Sequence, residues 1–168
     1  MAVDMFLKLN GVTGESKDKV HTNEIDVLSW SWGMTNNGSA HVGGGAGSGK
    51  LSVQDLTLSK FVDSSSPKLM LGCCNGKHFP DALLTVRKAG GKPLEYIKVK
   101  LETVMITGLG TGGSYTDDRL TENLTLNFAK VSLDYMPQDE KGAPLTAIPF
   151  GYRPISPSLR VTGIAGIG

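Results

Sequence analysis

The sequence predicts a mainly β fold, a small antiparallel β-barrel with one flanking α-helix, and three observations predict it. Apolar and polar residues alternate in six separate segments, each at least six residues long, which is the period of strands with one buried face. Only one segment carries the punctuation of a helix. The connections are glycine-rich or polar and mostly too long for tight hairpins, so a closed or nearly closed sheet leaves the fewest unpaired edges.

The elements follow in order. "DMFLKL" opens the chain as a strand, and "EIDVLSWSWGM" follows as the second. On that second strand, strict alternation places Leu28, Trp30, Trp32 and Met34 on one face and Ser29, Ser31 and Gly33 on the other. The tryptophans demand burial, so the first face is assigned to the core. "KLSVQDLTLSKF" is the third strand. "SSPKLMLGCCNGK" is the helix, with Ser66 as N-cap, Pro67 at the first helical position and Asn75–Gly76 as the stop. "RKAGGKPLEY" reads as a hairpin joining Leu83–Lys88 to Leu94–Leu101, and "ENLTLNFAKVSLDYM" is the last long strand. After Met136 come five prolines (137, 144, 149, 154 and 157), which extend the chain and resist helix. The chain therefore divides into a barrel domain, residues 1–138, and an extended proline-containing C-terminal arm, residues 139–168. At most one short strand is expected in the arm, near Ile148–Tyr152.

Composition narrows the function. The 168 residues suit one domain, which buries about two-thirds of its unfolded surface without staples. With 17 basic and 16 acidic residues, the net charge of +1 gives no electrostatic footprint for nucleic acid or a membrane surface. Asp4 and Lys8 spoil the pattern of a signal peptide, so a chain made and held in the cytosol is expected. Cys73 and Cys74 are adjacent and bond to each other only through a strained ring, so they are read as thiols in a packed helix.

The chemistry-bearing motifs are weak. "HVGGGAGSGKLS" places Gly44, Gly49 and Lys50 at the spacing of a phosphate-binding loop, but Leu51 stands where magnesium needs a hydroxyl, and strand alternation follows where a helix should begin. His21, His41 and His78 lack metal-ligand spacing. "TDDRLTEN" gathers Asp117, Asp118, Arg119 and Glu122; the arginine holds carboxylates ionised, so a solvated, self-paired loop is expected. No nucleophile elbow is present. The sequence therefore gives no catalytic residue, cofactor or metal site.

Four collinear stretches resemble one family. They are "FLKLNGVTGESKDKVHTNEIDVLSWSWGM", "GSGKLSVQDLTLSKFVDSSSPKLMLGCCNGKHFPDALLTVRKAGG", "EYIKVKLETVMIT" and "TGGSYTDDRLTENLTLNFAKVSLDYMPQ". The family is that of the haemolysin-coregulated protein, Hcp, the tube protein of the bacterial type VI secretion system. The resemblance covers residue 1 to about residue 138 and implies a homohexameric ring. Such rings stack into a secreted tube with a VgrG spike at its tip and a contractile sheath around it, and carry small effectors in the lumen. It also implies secretion through that apparatus without a signal peptide. Ser29 and Ser31 become the expected lumen-facing, cargo-facing positions. His41, Gly44, Gly45, Gly47, Gly49 and Lys50 become part of a loop that contacts a neighbouring subunit or ring. The C-terminus departs from the family pattern, because "IPFGYRPISPSLRVTGIAGIG" adds a proline-punctuated extension. Two alternatives remain: a phage-like tail-tube protein with the same ring logic, and a secreted carbohydrate-binding β-module using Tyr96, Tyr115 and Tyr135.

Overall fold

The computed structural model describes residues 3–38 and 51–153. The loop positions His41, Gly44, Gly45, Gly47, Gly49 and Lys50 lie outside the described residues, as does the tail after residue 153. In order the chain forms β1 (Val3–Leu9), β2 (Ile25–Ser31), β3 (Met34–Asn36), β4 (Leu51–Val53), β5 (Leu56–Phe61), α1 (Ser66–Asn75), β6 (His78–Lys88), β7 (Leu94–Gly112), β8 (Thr121–Tyr135) and β9 (Ile148–Tyr152). The main sheet runs β5-β2-β1-β6-β7-β8-β9, and a further pairing of β5 with β8 closes six of these strands into an antiparallel barrel. The anticipated hairpin is present, with Lys88 opposite Leu94 and Leu83 opposite Lys100. The short strand expected near Ile148–Tyr152 is β9, which pairs with the second half of β8.

Two expected strands are each broken in two. The second divides at Trp32–Gly33 into β2 and β3, and the third divides at Gln54–Asp55 into β4 and β5. β3 and β4 pair with each other, Met34 against Val53 and Asn36 against Leu51, as a short arm extending the β2–β5 hairpin. Leu51–Val53 is a strand directly after Lys50, so no helix dipole is available to a phosphate there.

The core is mainly apolar: Leu7, Leu9, Ile25, Leu56, Leu58, Leu84, Val99, Leu101, Leu124 and Leu126 are among its fully buried members. The helix closes one end. Leu69 is buried in the core, and Gly72 lies so close to Phe79 and Ile106 that an added Cβ would stand 3.0 Å from the Phe79 ring. Gly76 ends the helix in the left-handed conformation, as its sequence suggested. The N-terminus differs from expectation. Ser65 occupies the cap position without a side-chain bond to the helix backbone, its hydroxyl donating to Asp63, and Ser66 is the first helical residue. Its hydroxyl bonds to Glu122 on β8 instead. Of the two cysteines, Cys73 is half-buried against the core and Cys74 is exposed, so the expectation of packed thiols fails for Cys74.

The face assignment of the second strand needs one correction. Leu28 and Met34, expected in the core, are 39% and 40% exposed. The register shifts between Val27 and Ser29, so Leu28 is an extra residue at a β-bulge. Upstream of the bulge Ile25 and Val27 face inward; downstream Trp30 and Trp32 do, packed against the core. Met34 lies beyond the barrel on the arm.

Thr103 adopts φ 54° in the middle of β7 while exposed to solvent. A β-branched residue in the left-handed region is strained. Thr103→Asn is therefore expected to raise stability by about 1 kcal/mol, read as a higher urea midpoint. A lower midpoint would show that the threonine side chain stabilises that bend.

Candidate functional site

The bulge that exposes Leu28 fixes where the serines point. Ser29 lies opposite Ser59 on β5, Ser59 opposite Asn123 on β8, and Asn123 opposite Gly110 on β7. The next outward rung runs Ser31, Thr57, Thr125, Gly108. Between these two lies an inward rung of Trp30, Leu58, Leu124 and Leu109, which alternation requires. Four strands thus share an outer face made of small, uncharged side chains. At its margin Asp55 accepts hydrogen bonds from the Thr107 hydroxyl and the Asn127 amide, both at 2.8 Å.

This four-stranded patch has two unpaired edges among the described residues. β2 meets β1 only at Ile25 and Asp26, which leaves Val27–Ser31 without a neighbour on that side. β7 meets β6 only as far as Met105, which leaves Thr107–Gly112 open. Unpaired edges present rows of backbone donors and acceptors that pair readily with another chain.

A second cluster lies outside the barrel, where the loop between β1 and β2 folds over the outward face of β1 and β6. Arg87 donates to both carboxylate oxygens of Asp18, at 3.1 and 2.6 Å, and to Asp4 at 3.0 Å, and lies over the Phe6 ring. The His21 ring stacks on Phe6 with centroids 4.4 Å apart, its Nδ1 is 2.8 Å from Glu24 and its Nε2 is 2.9 Å from Glu95. Both contacts are hydrogen bonds at once only when both ring nitrogens carry protons. The Arg87 hydrogen bond, then the Val20 backbone N–H, hold the Asp18 carboxyl well below the usual range against the pull of burial. Burial raises Glu95, but hydrogen bonds from Lys98 and then His21 outweigh it and leave it below the ordinary value. Sequence reading missed this clamp, since its members come from distant segments with no periodic pattern.

The third cluster corrects the reading of "TDDRLTEN". Asp117 does fold on its own loop, accepting from the Ser114 N–H at 2.8 Å. Arg119 pairs with neither aspartate and stacks on Phe61, 3.7 Å from the ring centroid. Glu122, expected in a solvated loop, is completely buried and paired with the equally buried Lys60. Lys60 also donates to the Phe61 carbonyl at 2.8 Å and to Asp63 at 3.0 Å.

None of these clusters pairs a nucleophile with a base, and no group of three or more metal-ligating side chains occurs among the described residues. No helix among them is long and apolar enough to cross a membrane. What stands out is a closed β-barrel with a neutral face and two open sheet edges, the features of a self-assembling structural protein. Residues 6–135 match the family model of the type VI secretion system effector Hcp. The chain is 58% identical to the protein hcp1 of Pseudomonas aeruginosa over 144 residues, 85% of this chain and 89% of that protein. Among solved structures, a type six secretion system protein superposes with a TM-score of 0.86 at 30% identity, covering 92% of this chain and 97% of that one. Hcp1 from Salmonella typhimurium gives 0.73 at 36% identity, covering 91% and 95%. The chain belongs to the Hcp family of type VI secretion proteins. Members of this family are secreted and self-assemble as rings.

Proposed function

We propose that this protein is the tube subunit of a type VI secretion system, a homohexameric ring whose neutral four-stranded face lines the lumen. The observation that carries this reading is the pair of unpaired edges bordering that face. An edge at β2 and a different edge at β7 suit a head-to-tail contact, and head-to-tail contacts close into a ring when the rotation permits. The face between them is small and uncharged, suited to a wall along which small effector proteins are held and released. Ser29 and Ser31 lie on that wall. To the loop carrying His41, Gly44, Gly45, Gly47, Gly49 and Lys50, which joins β3 to β4 in sequence, this reading assigns contact with a neighbouring subunit or ring. The rings stack into a tube that meets the VgrG spike at its tip and the sheath around it, and the subunit passes from the cytoplasm out through the apparatus. It performs no catalysis of its own.

Light scattering at tens of micromolar is expected to give the mass of a hexamer, and a monomer at that concentration would overturn the ring. Ser31→Gln tests the wall. A longer amide on an exposed position leaves folding close to neutral, but it adds bulk to a surface repeated around the ring. A change of about 0.5 to 1 kcal/mol per subunit is multiplied when several subunits touch one effector. The expected result is an unchanged ring that no longer retains a co-expressed small effector. A monomeric Ser31→Gln variant would place Ser31 in the subunit contact instead.

A further inference from the structure

We infer that successive rings dock end to end by seating the clamped loop between β1 and β2 of one copy on the β7–β8 loop of the next. This inference rests on the tube reading above and supplies its contact. The two loops lie at opposite ends of the molecule. His21 ties the first to Glu95, near the start of β7, and the second begins where β7 ends at Gly112. The 19 residues of β7 trace about 60 Å of strand between them. No single chain can bring these loops together.

Each loop carries an exposed apolar tip beside two like charges, Lys17 and Lys19 on the first, with Glu15 as a single exposed opposing charge, and Asp117 and Asp118 on the second, with Arg119 as its single opposing charge. Val20 is 71% exposed and Tyr115 fully exposed, the two most exposed large hydrophobic residues among those described. Val20 stands beside Pro93, Leu94 and Met136 at the rim of a shallow cavity of about 300 Å³. Around it, Asp18 turns inward to Arg87, so that Lys17 and Lys19 are left facing solvent with no acidic partner among the described residues. Around Tyr115, Asp117 and Asp118 are exposed, and Arg119, also exposed, lies over the Phe61 ring instead of against either carboxylate. Both loops are held in shape, the first by the Arg87 and His21 contacts and the second by the Ser114–Asp117 turn. A preshaped loop loses little entropy on docking.

Complementarity also fixes the symmetry. A two-fold contact would set lysines against lysines, whereas a head-to-tail contact sets Lys17 and Lys19 against Asp117 and Asp118. The first pairing is repulsive. The second leaves each end free to receive another copy, so it propagates as a tube does.

Zero-length carbodiimide cross-linking of concentrated protein, mixed equally from ¹⁴N and ¹⁵N preparations, tests this contact. Mixed-isotope peptides joining Lys17 or Lys19 to Asp117 or Asp118 are expected. Lys17→Glu with Lys19→Glu, which removes the linking amines outright, should also reduce the sedimenting tube mass about tenfold or more, because the loss recurs around the ring. Adding Asp117→Lys and Asp118→Lys to the same chain should restore the tube mass, an exchange that a merely structural role would not rescue. Absence of the links, links to other carboxylates alone, or a tube mass indifferent to charge reversal would each overturn the contact. Ring mass is read separately by light scattering. Cross-links without a hexamer would sink the ring and leave the contact standing; a hexamer without the cross-links would do the reverse.

Discussion

Replacing Glu122 with leucine while Lys60 remains is expected to lower stability by about 3 kcal/mol, because a buried ammonium loses its fully buried counter-charge and keeps only Asp63, 3.0 Å away, as an acidic partner. That is a large share of the roughly 5–15 kcal/mol that stabilises a typical domain. Lys60 and Glu122 are direct cross-strand partners on β5 and β8, the two strands whose pairing closes the barrel. A slip of two residues at that seam would keep both side chains inward but separate the pair and bury each charge apart from the other. It would also break the rungs that align Ser59 with Asn123 and Thr57 with Thr125. Lys60→Met combined with Glu122→Leu is expected to recover part of the loss, since two apolar side chains of similar volume tolerate the site that a half-compensated ammonium does not. Urea unfolding of the two single variants and the double gives the coupling directly, and a value above about 2 kcal/mol is expected. Additive single effects, or a loss below about 1 kcal/mol for Glu122→Leu, would show the pair to be incidental. Should Glu122→Leu fail to fold, Glu122→Gln keeps the comparison measurable, because the amide still accepts from Lys60 and Ser66.

The position of that pair was legible in the alternation. Leu56, Leu58 and Lys60 share one phase of β5, and Glu122, Leu124, Leu126 and Phe128 share one phase of β8, so a positive and a negative charge each stand in an apolar series. The neighbouring acidic residues drew attention to the loop instead. The bulge had a signal as well: apolar residues fall at 25 and 27, then at 28, 30 and 32, and a change from odd to even phase within one strand requires an extra residue. Reading the segment as one unbroken period kept Trp30, Ser29 and Ser31 on their proper faces and misplaced Leu28 and Met34. A closed or nearly closed barrel followed from connections too long for tight hairpins and from the cost of unpaired edges, but not its seam, because which strand meets which is decided by long-range pairing. The clamp on the β1–β2 loop left no pattern to read. Asp18, Arg87 and Glu95 have no common period, and His21 looked like an isolated histidine until the fold stacked it on Phe6.

That clamp is the second point at which one substitution should have a large effect. Arg87→Leu removes a nearly buried guanidinium that makes a two-pronged contact with Asp18, another with Asp4, and lies over Phe6. A loss of about 2 kcal/mol is expected, less than for Glu122, because Asp18 and Asp4 reach water and regain hydration once released. The pH dependence identifies the cause. Asp18 is held below its unfolded range chiefly by the Arg87 hydrogen bond, so its contribution is fully present above the ordinary carboxylate pKa, about 4. It fades as pH falls below that value and disappears once Asp18 protonates in the folded protein. In Arg87→Leu the principal cause of the shift is gone, so the stability gap between wild type and variant should narrow from pH 7 to pH 3. Glu95 is unaltered in both proteins and largely cancels. A gap that stays constant with pH would assign the loss to Phe6 packing rather than to charge. The assembly consequence is separable: with Arg87 gone the loop bearing Lys17, Lys19 and Val20 loses its fixed shape, so the cross-links to Asp117 and Asp118 should weaken at neutral pH while the ring mass persists, because both sheet edges proposed to close the ring lie elsewhere.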